Sequence, residues 1–330
     1  MSLYKTPKQV FADFPRDYWH VQEPIGQNFT PGTLGGYYID MREKAKKYDG
    51  PTKDGYPLRN QNQEGLQLLP VTITQLALGH YEFWLENKQD IHLQRFFQCA
   101  NWLVKHHMPC DGKMDGWLYH FDHGRLGIKA PFISAMGQGQ GISVLVRAHQ
   151  LNHDESYLNV ARNALAPFDV EVRQGGVKAE TSDGIYFEEY PCYPYSHILN
   201  GHIFSLWGLY DFAIYQNDER VMKLFEEGTH TLKKFLPRYD LGFWSRYGLY
   251  PHPKPNVASP FYHELHIAQL RAMFKLTSVP EFREYADRFE TQFDSWFYFV
   301  RAFFHKVGFK FWIKARKKNL SKLPFLAQKL

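Results

Sequence analysis

Between Thr72 and Phe293 one pattern recurs four times: two stretches with apolar residues at helical spacing, joined by a short polar turn. In the first copy Leu76, Leu78, Tyr81, Trp84 and Leu85 lead to a turn near Asn87 and Asp90, and Phe96, Phe97, Ala100 and Leu103 run on towards His107. In the second, Ile142, Leu145, Val146 and His149 precede a turn in which Asp154 suits an N-cap, and Tyr157, Leu158, Ala161 and Leu165 follow. In the third, Ile203, Leu206, Trp207 and Tyr210 turn at Asn217-Asp218 into Val221, Leu224, Phe225, Leu232, Phe235 and Leu236. The fourth runs from Glu264 to Leu276, then past Pro280, which suits a first helical turn, to Phe282, Tyr285, Phe289 and Phe293. Each copy reads as an αα-hairpin. A hairpin cannot bury its apolar face alone, so copies at a period of ~60–65 residues have to pack side by side. The connectors, near 108–134, 167–198 and 237–262, are long and hold strand-like pieces such as Phe168 to Val172 and Gly175 to Ala179. The pattern predicts a mainly α protein, an α/α barrel of about four hairpins with short β-hairpins in the connectors. All three connectors then emerge at one end, which becomes the functional face.

Three divisions follow. Residues 71–293 form the barrel. Residues 1–70, rich in Pro, Gly, Asp and Asn, form a small irregular portion packed on it, with Tyr37 to Asp40 as a short strand. Residues 294–330 are a basic, aromatic, amphipathic tail. The net charge of +5 belongs to that tail. From His305 onward there are eight Lys and Arg and no Asp or Glu, and the rest of the chain holds 31 basic against 34 acidic residues. Such a balance argues against nucleic acid as a partner. Trp296 to Val300, Phe303-Phe304, Phe309 and Phe311 to Ile313 interleave with lysines, as in a segment that lies on an anionic membrane surface. The same residues also fit a helix packed on the barrel with solvated lysines, or an acidic polymer as partner. No apolar run near the N-terminus resembles a signal peptide, so the expected location is cytoplasmic, or peripheral on the inner membrane face. The oligomeric state stays open, a homodimer included.

Common catalytic signatures are missing: no phosphate loop, no strand-led GxGxxG and no HExxH. Gly137-Gln-Gly-Gln-Gly141 starts a helix, where small residues let two helices approach closely. His263 and His266, three apart on a helix, are more often structural than metal-binding, and three cysteines form no paired metal spacing. No metal or cofactor is therefore expected. The connectors supply three tyrosines in suggestive settings: Tyr190 after Glu188-Glu189, Tyr247 after Arg246, and Tyr262 before His263. A tyrosine beside a cation or carboxylate can serve as general acid or base. Aromatic residues are 17% of the chain. That content fits a sugar-holding cleft and equally a thick aromatic core. Glu188 and Glu189 are adjacent and point apart in an extended chain, a poor pair for glycoside hydrolysis.

Several blocks in order carry a family resemblance. They are Ser134 to Ala148 around the glycine run, Gly176-Val-Lys-Ala179, Phe187-Glu-Glu-Tyr-Pro191, Leu199 to Asp211, Phe235 to Asp240, and Tyr262-His-Glu-Leu-His266 running to Leu270. Together they resemble the C-terminal domain of the D-glucuronyl C5-epimerases, well over about 130–293 and more weakly over 65–130. The resemblance implies a barrel that inverts C5 of D-glucuronate within a polysaccharide to L-iduronate. It carries the catalytic roles onto Glu189, Tyr190, Tyr247 and Tyr262. Vertebrate members follow the second tyrosine with Asp, Leu and Arg; here Gly248-Leu-Tyr250 follows, so that arginine is absent and Arg246 is a candidate replacement.

Proton removal next to a carboxylate builds an enediolate, whose charge needs donors. The expected substrate-side residues are Arg125, Arg246, His263, His266 and Glu188. Inversion needs one acid/base group on each face of the ring; Tyr190 and Tyr262 are the expected opposed pair, with Tyr247 near the ring or acting as one of the two. An acidic glucuronate-containing polysaccharide is then the partner. Two other readings stay open at this point: a uronate polysaccharide lyase, which shares the first step, and a non-catalytic polysaccharide-binding or assembly protein.

Overall fold

The computed structural model describes residues 5–13, 16–46, 48–61, 64–110 and 114–320. The side chains of 316–320 and all of 321–330 lie outside it, and with them much of the basic tail, Lys322 and Lys329 included. After a short helix α1 (Pro7–Ala12) the chain runs irregularly to residue 69. The four hairpins follow: α2 (Pro70–Asn87) with α3 (Asp90–His106), and α4 (Ala135–Asn152) with α5 (Glu155–Asn163), followed by a single turn, α6 (Ala166–Asp169). Then come α7 (Leu199–Gln216) with α8 (Glu219–Tyr239), and α9 (Pro260–Thr277) with α10 (Pro280–Asp294). A last helix, α11 (Trp296–Leu320), closes the chain.

The inner helices α2, α4, α7 and α9 each have 18 residues and start 65, 64 and 61 residues apart. Each ends on a non-glycine residue in the left-handed region: Lys88, His153, Asn217 and Ser278, with φ of 55°, 58°, 51° and 58°. The amide of each donates to the carbonyl four residues back, so an otherwise orphaned carbonyl is satisfied and the chain reverses at once into the outer helix. α4 lies between α2 and α7, and α7 contacts α9, so the inner helices form an arc running parallel, all N-termini at one end. Outer helices are amphipathic, whereas α4 and α7 are buried almost all round. Each fully buried Leu or Phe stabilises the fold by about 1.5–3 kcal/mol.

Two features hold α4 to α7. A Cβ on Gly208 would lie 2.2 Å from the Gly139 carbonyl oxygen, so these helices touch backbone to backbone. Near their C-terminal ends Arg147 Nη1 donates to Asp211 Oδ2 at 2.6 Å, with both side chains 0–1% exposed. The remaining donors of Arg147 reach Ser143 O, Gly35 O and Gly36 O, and Tyr38 Oη donates to Asp211 Oδ1 at 2.7 Å. The irregular segment 28–41 therefore seals the C-terminal end of the inner helices, with Tyr38 stacked on Trp207 at 4.8 Å.

Strands are short pairs: β1 (Thr52–Lys53) with β2 (Tyr56–Pro57), β3 (Arg59–Asn60) with β4 (Leu66–Gln67), and β5 (Met108–Cys110) with β6 (Met114–Gly116). β7 (Leu118–Tyr119) pairs β8 (Phe132–Ile133), and β9 (Lys178–Thr181) pairs β10 (Gly184–Phe187). Two expected strands are absent. Phe168 sits in α6 with its ring fully buried, and Tyr37 to Asp40 makes only an isolated bridge between Ile39 and Ile25. Local apolar alternation is overridden there by packing onto the helices. No described helix is long and apolar enough to cross a membrane.

Asp211→Asn leaves the Arg147 charge buried without its counter-ion and is expected to cost about 3–5 kcal/mol, read as a lowered urea midpoint. Ser278→Gly, at an exposed left-handed position, is expected to gain about 0.5–1 kcal/mol in the same measurement.

Candidate functional site

The end of the arc where the inner N-termini gather carries a cleft in two joined parts. The deeper part, about 290 Å³, is lined by Val71, Thr72 and Gln75 of α2, Met136 of α4, Asn200 and Phe204 of α7, and Phe261, Tyr262 and Leu265 of α9. The connectors add Tyr119, His123, Arg125, Glu189 and Tyr190. The outer part, about 450 Å³, shares Arg59, His123, Arg125, Tyr190 and Tyr262, and adds Tyr247, Tyr250, Lys306 and Lys310. Four parallel helix N-termini each carry about half a positive charge, so this end attracts anions before any side chain is counted.

Glu189 and Tyr190 leave β10 and run past the start of α7. Gly201 makes room there: a Cβ on it would lie 2.5 Å from Glu189 Cβ. Glu189 is 8% exposed, and its Oε2 is buried with no hydrogen-bond partner among the described residues. Burial pushes this carboxyl up to about 7, against a hydrogen bond from Tyr190 and the nearby positive charge of Arg59. Tyr190 itself is raised well above its ordinary value, by burial first and then by the Glu189 charge.

Tyr262 sits in the first turn of α9, where Ser259 caps the helix. Tyr247 lies in the preceding connector, with its ring centroid 4.7 Å from that of Tyr262. Burial and then the Glu189 charge raise Tyr262 to about 12, while Arg59 and the Tyr247 hydrogen bond pull it down. Tyr247 is pushed well above the usual phenol range by burial, with the negative forms of Glu189 and Tyr262 adding to it. The structure thus gathers Glu189, Tyr190, Tyr247, Tyr262 and Arg125 at one cleft.

The other expected substrate-side groups lie elsewhere. His263 and His266 are fully buried behind the cleft, both within 2.9 Å of Ser245 Oγ, and His263 Nε2 lies 2.9 Å from Phe289 O. Burial holds both rings neutral, with His266 lowered to about 3. A helix turns about 100° per residue, so His263 faces away from Tyr262, whereas His266, one turn on, is buried deeper along α9 and does not line the cleft. Arg246 runs along a bridge to Val257 and does not line the cleft. Glu188 is also off the cleft. Its Oε2 accepts from Ser196 Oγ at 2.6 Å and the His197 amide at 2.9 Å, and its Oε1 meets His197 Nδ1 at 2.6 Å. It clamps the loop 188–197 that carries Tyr190.

Two cleft residues escaped the sequence reading. Arg59, in β3, lines both parts of the cleft and acts on Glu189, Tyr190 and Tyr262 alike. Its only local signal was the neighbouring polar loop from Asn60 to Glu64. His123 has its ring centroid 4.6 Å from that of Tyr190, and burial lowers it to about 4, so it is neutral at pH 7. Its proximity to Arg125 in sequence was the available cue.

A family model described as D-glucuronyl C5-epimerase C-terminus matches residues 111–291. The D-glucuronyl C5-epimerase of Caenorhabditis elegans is 34% identical over 224 residues, which are 62% of this chain and 36% of that protein. An uncharacterized protein of Methanocaldococcus jannaschii is 28% identical over 173 residues, 51% of this chain and 55% of that one. The chain thus spans between about a third and about half the length of these relatives. Among solved structures, cellobiose 2-epimerase from Spirochaeta thermophila aligns with a TM-score of 0.48 at 10% identity, covering 66% of this chain and 57% of that one. With the family match extending over more than half of its residues, the chain belongs to the D-glucuronyl C5-epimerase C-terminus family.

Proposed function

We propose that the protein is an epimerase that inverts C5 of glucuronate residues within an acidic polysaccharide, giving iduronate. The observation that carries this is the gathering of Glu189, Tyr190, Tyr247 and Tyr262 with Arg59 and Arg125 at one cleft. Burial and the Glu189 charge raise both Tyr190 and Tyr262, Tyr190 the further of the two, while Arg59 pulls both down. Tyr262, the less strongly raised of the two, is the more readily ionised and takes the role of base, and Tyr190 that of acid. Family membership adds support.

In this reading Arg59, assisted by Arg125, holds the uronate carboxylate and spreads the charge that grows on it. Tyr262, as phenolate, takes the proton from C5, and the C–H electron pair moves into the carboxylate as an enediolate. Tyr190 returns a proton to C5 from the opposite face, and the electron pair forms the new C–H bond. The open cleft lets both phenols exchange with water and reset. The reverse direction runs the same steps in opposite order. Lys306 and Lys310, at the outer part of the cleft, meet neighbouring acidic sugars of the polymer.

In D2O, incubation with an unsulfated glucuronate polymer is expected to place deuterium at C5 without chain cleavage, as read by NMR. A UV-absorbing unsaturated product would instead mark a lyase. Tyr190→Phe and Tyr262→Phe should each lower kcat by about 10²–10⁴-fold with KM little changed. Normal exchange in both would end the assignment.

Glu189 offers a check by stability. Its folded pKa, about 7, lies above the ordinary carboxyl value. Its contribution to stability is therefore fully present below the unfolded pKa and is lost as pH rises through about 7. Glu189→Gln removes that loss, so its gain in Tm over the unsubstituted protein should be larger at pH 8.5 than at pH 5, while epimerisation falls.

A further inference from the structure

Helix α11 lies beyond the family match and is built with two faces. The inner face is anchored on the connectors. Lys306 Nζ donates to Val257 O at 2.6 Å and Asn256 Oδ1 at 3.0 Å, Phe309 is 3% exposed against His252, and Arg301 lies over the Phe243 ring. The outer face is apolar and largely bare among the described residues, although Trp296 at its start donates its Nε1–H to Lys5 O at 3.1 Å. Trp296, Phe297, Val300, Phe303, Phe304 and Phe311 are 45–72% exposed. At about 3.6 residues per turn they fall on one stripe. The large exposed apolar residues elsewhere on the described surface are Leu66, Ile91, Met108 and Tyr193, scattered over separate elements. Contiguous apolar patches on a protein surface mark an interaction face.

The charge around the stripe selects its occupant. The exposed Lys310 and Lys314 border it on one side, and the sequence from His305 to its end holds eight cations and no acid. A second copy seated on the same stripe would bring two cation-rich segments together with no acid to offset them. A surface of anionic lipid headgroups over acyl chains meets both features: aromatic rings settle at the boundary and lysines reach the headgroups. We propose that α11 docks the protein on an anionic membrane surface through this stripe. The same helix supplies Lys306 from its inner face and Lys310 from the border between the two faces to the cleft, so docking places the cleft mouth beside the lipid. The proposal is independent of the chemistry assigned to the cleft.

The test is sedimentation of the full chain with vesicles of phosphatidylcholine alone, or with about a third of phosphatidylglycerol. The protein is expected to sediment with the anionic vesicles at low salt, to release as salt is raised, and to shift its tryptophan emission to the blue on binding. The triple variant Phe297→Ser, Phe304→Ser, Phe311→Ser should lose at least about tenfold in partitioning. Its circular dichroism and melting should match the parent, because the inner-face anchors are kept. Binding by neither vesicle type, equal binding to both, or unchanged binding by the triple variant would overturn the proposal. So would a dimer in light scattering that the triple variant abolishes, without vesicle binding by the parent.

Discussion

The backbone contact of Gly139 with Gly208 sets the geometry on which the site depends. Two helices that touch at glycine can run side by side only in one register, because any Cβ there would collide with main chain. The Arg147–Asp211 pair holds the same two helices a turn further along α7, and every hydrogen-bonding demand of that pair is met from α4, α7 and the segment 28–41. A buried pair of this kind adds little net stability, but it excludes other arrangements, since a shifted register would strand two charges in the core. With α4 and α7 fixed, the starts of both helices arrive together at the opposite end.

That opposite end is electrostatically lopsided. Helix N-termini, Arg59 and Arg125 all favour negative charge, and the outer rim adds Lys306 and Lys310. Within this positive setting sits a buried carboxyl, Glu189, with an orphaned oxygen. An unsatisfied buried acceptor costs about 1–3 kcal/mol, and a carboxylate more. The charge of that carboxylate raises Tyr190 and Tyr262 alike, so one buried acid acts on both phenols. The positive cleft and the phenols gathered in it are the features on which the proposed acidic-sugar substrate rests.

The hairpins and the cleft tyrosines were legible in the sequence for a local reason. Periodicity of three and four, an aspartate at a helix start or a proline in a first turn is a short-range signal, and it marks α4, α5, α8 and α10 within a residue or two. Tyr190, Tyr247 and Tyr262 stood out because each has a titratable neighbour in the chain: Glu189, Arg246 and His263. His263 and His266 misled for the same locality: adjacency to Tyr262 places them on α9, but the turn of the helix sends their rings into Ser245 and Phe289. Glu188 misled by alternation, since in an extended segment it points opposite to Glu189.

By itself the sequence determined the helical hairpins, their repeat, the family and the phenols available for proton transfer, because each of these rests on residues close together in the chain. The tertiary structure alone decided which cation serves those phenols. Arg59 is more than a hundred residues from Tyr190 and reaches it only because the irregular segment before α2 folds over the gathered helix starts. It also decided that α11 faces two ways, one side on the cleft and the other bare. Periodicity reports that a face is apolar; only the neighbours packed around a helix determine whether that face is covered.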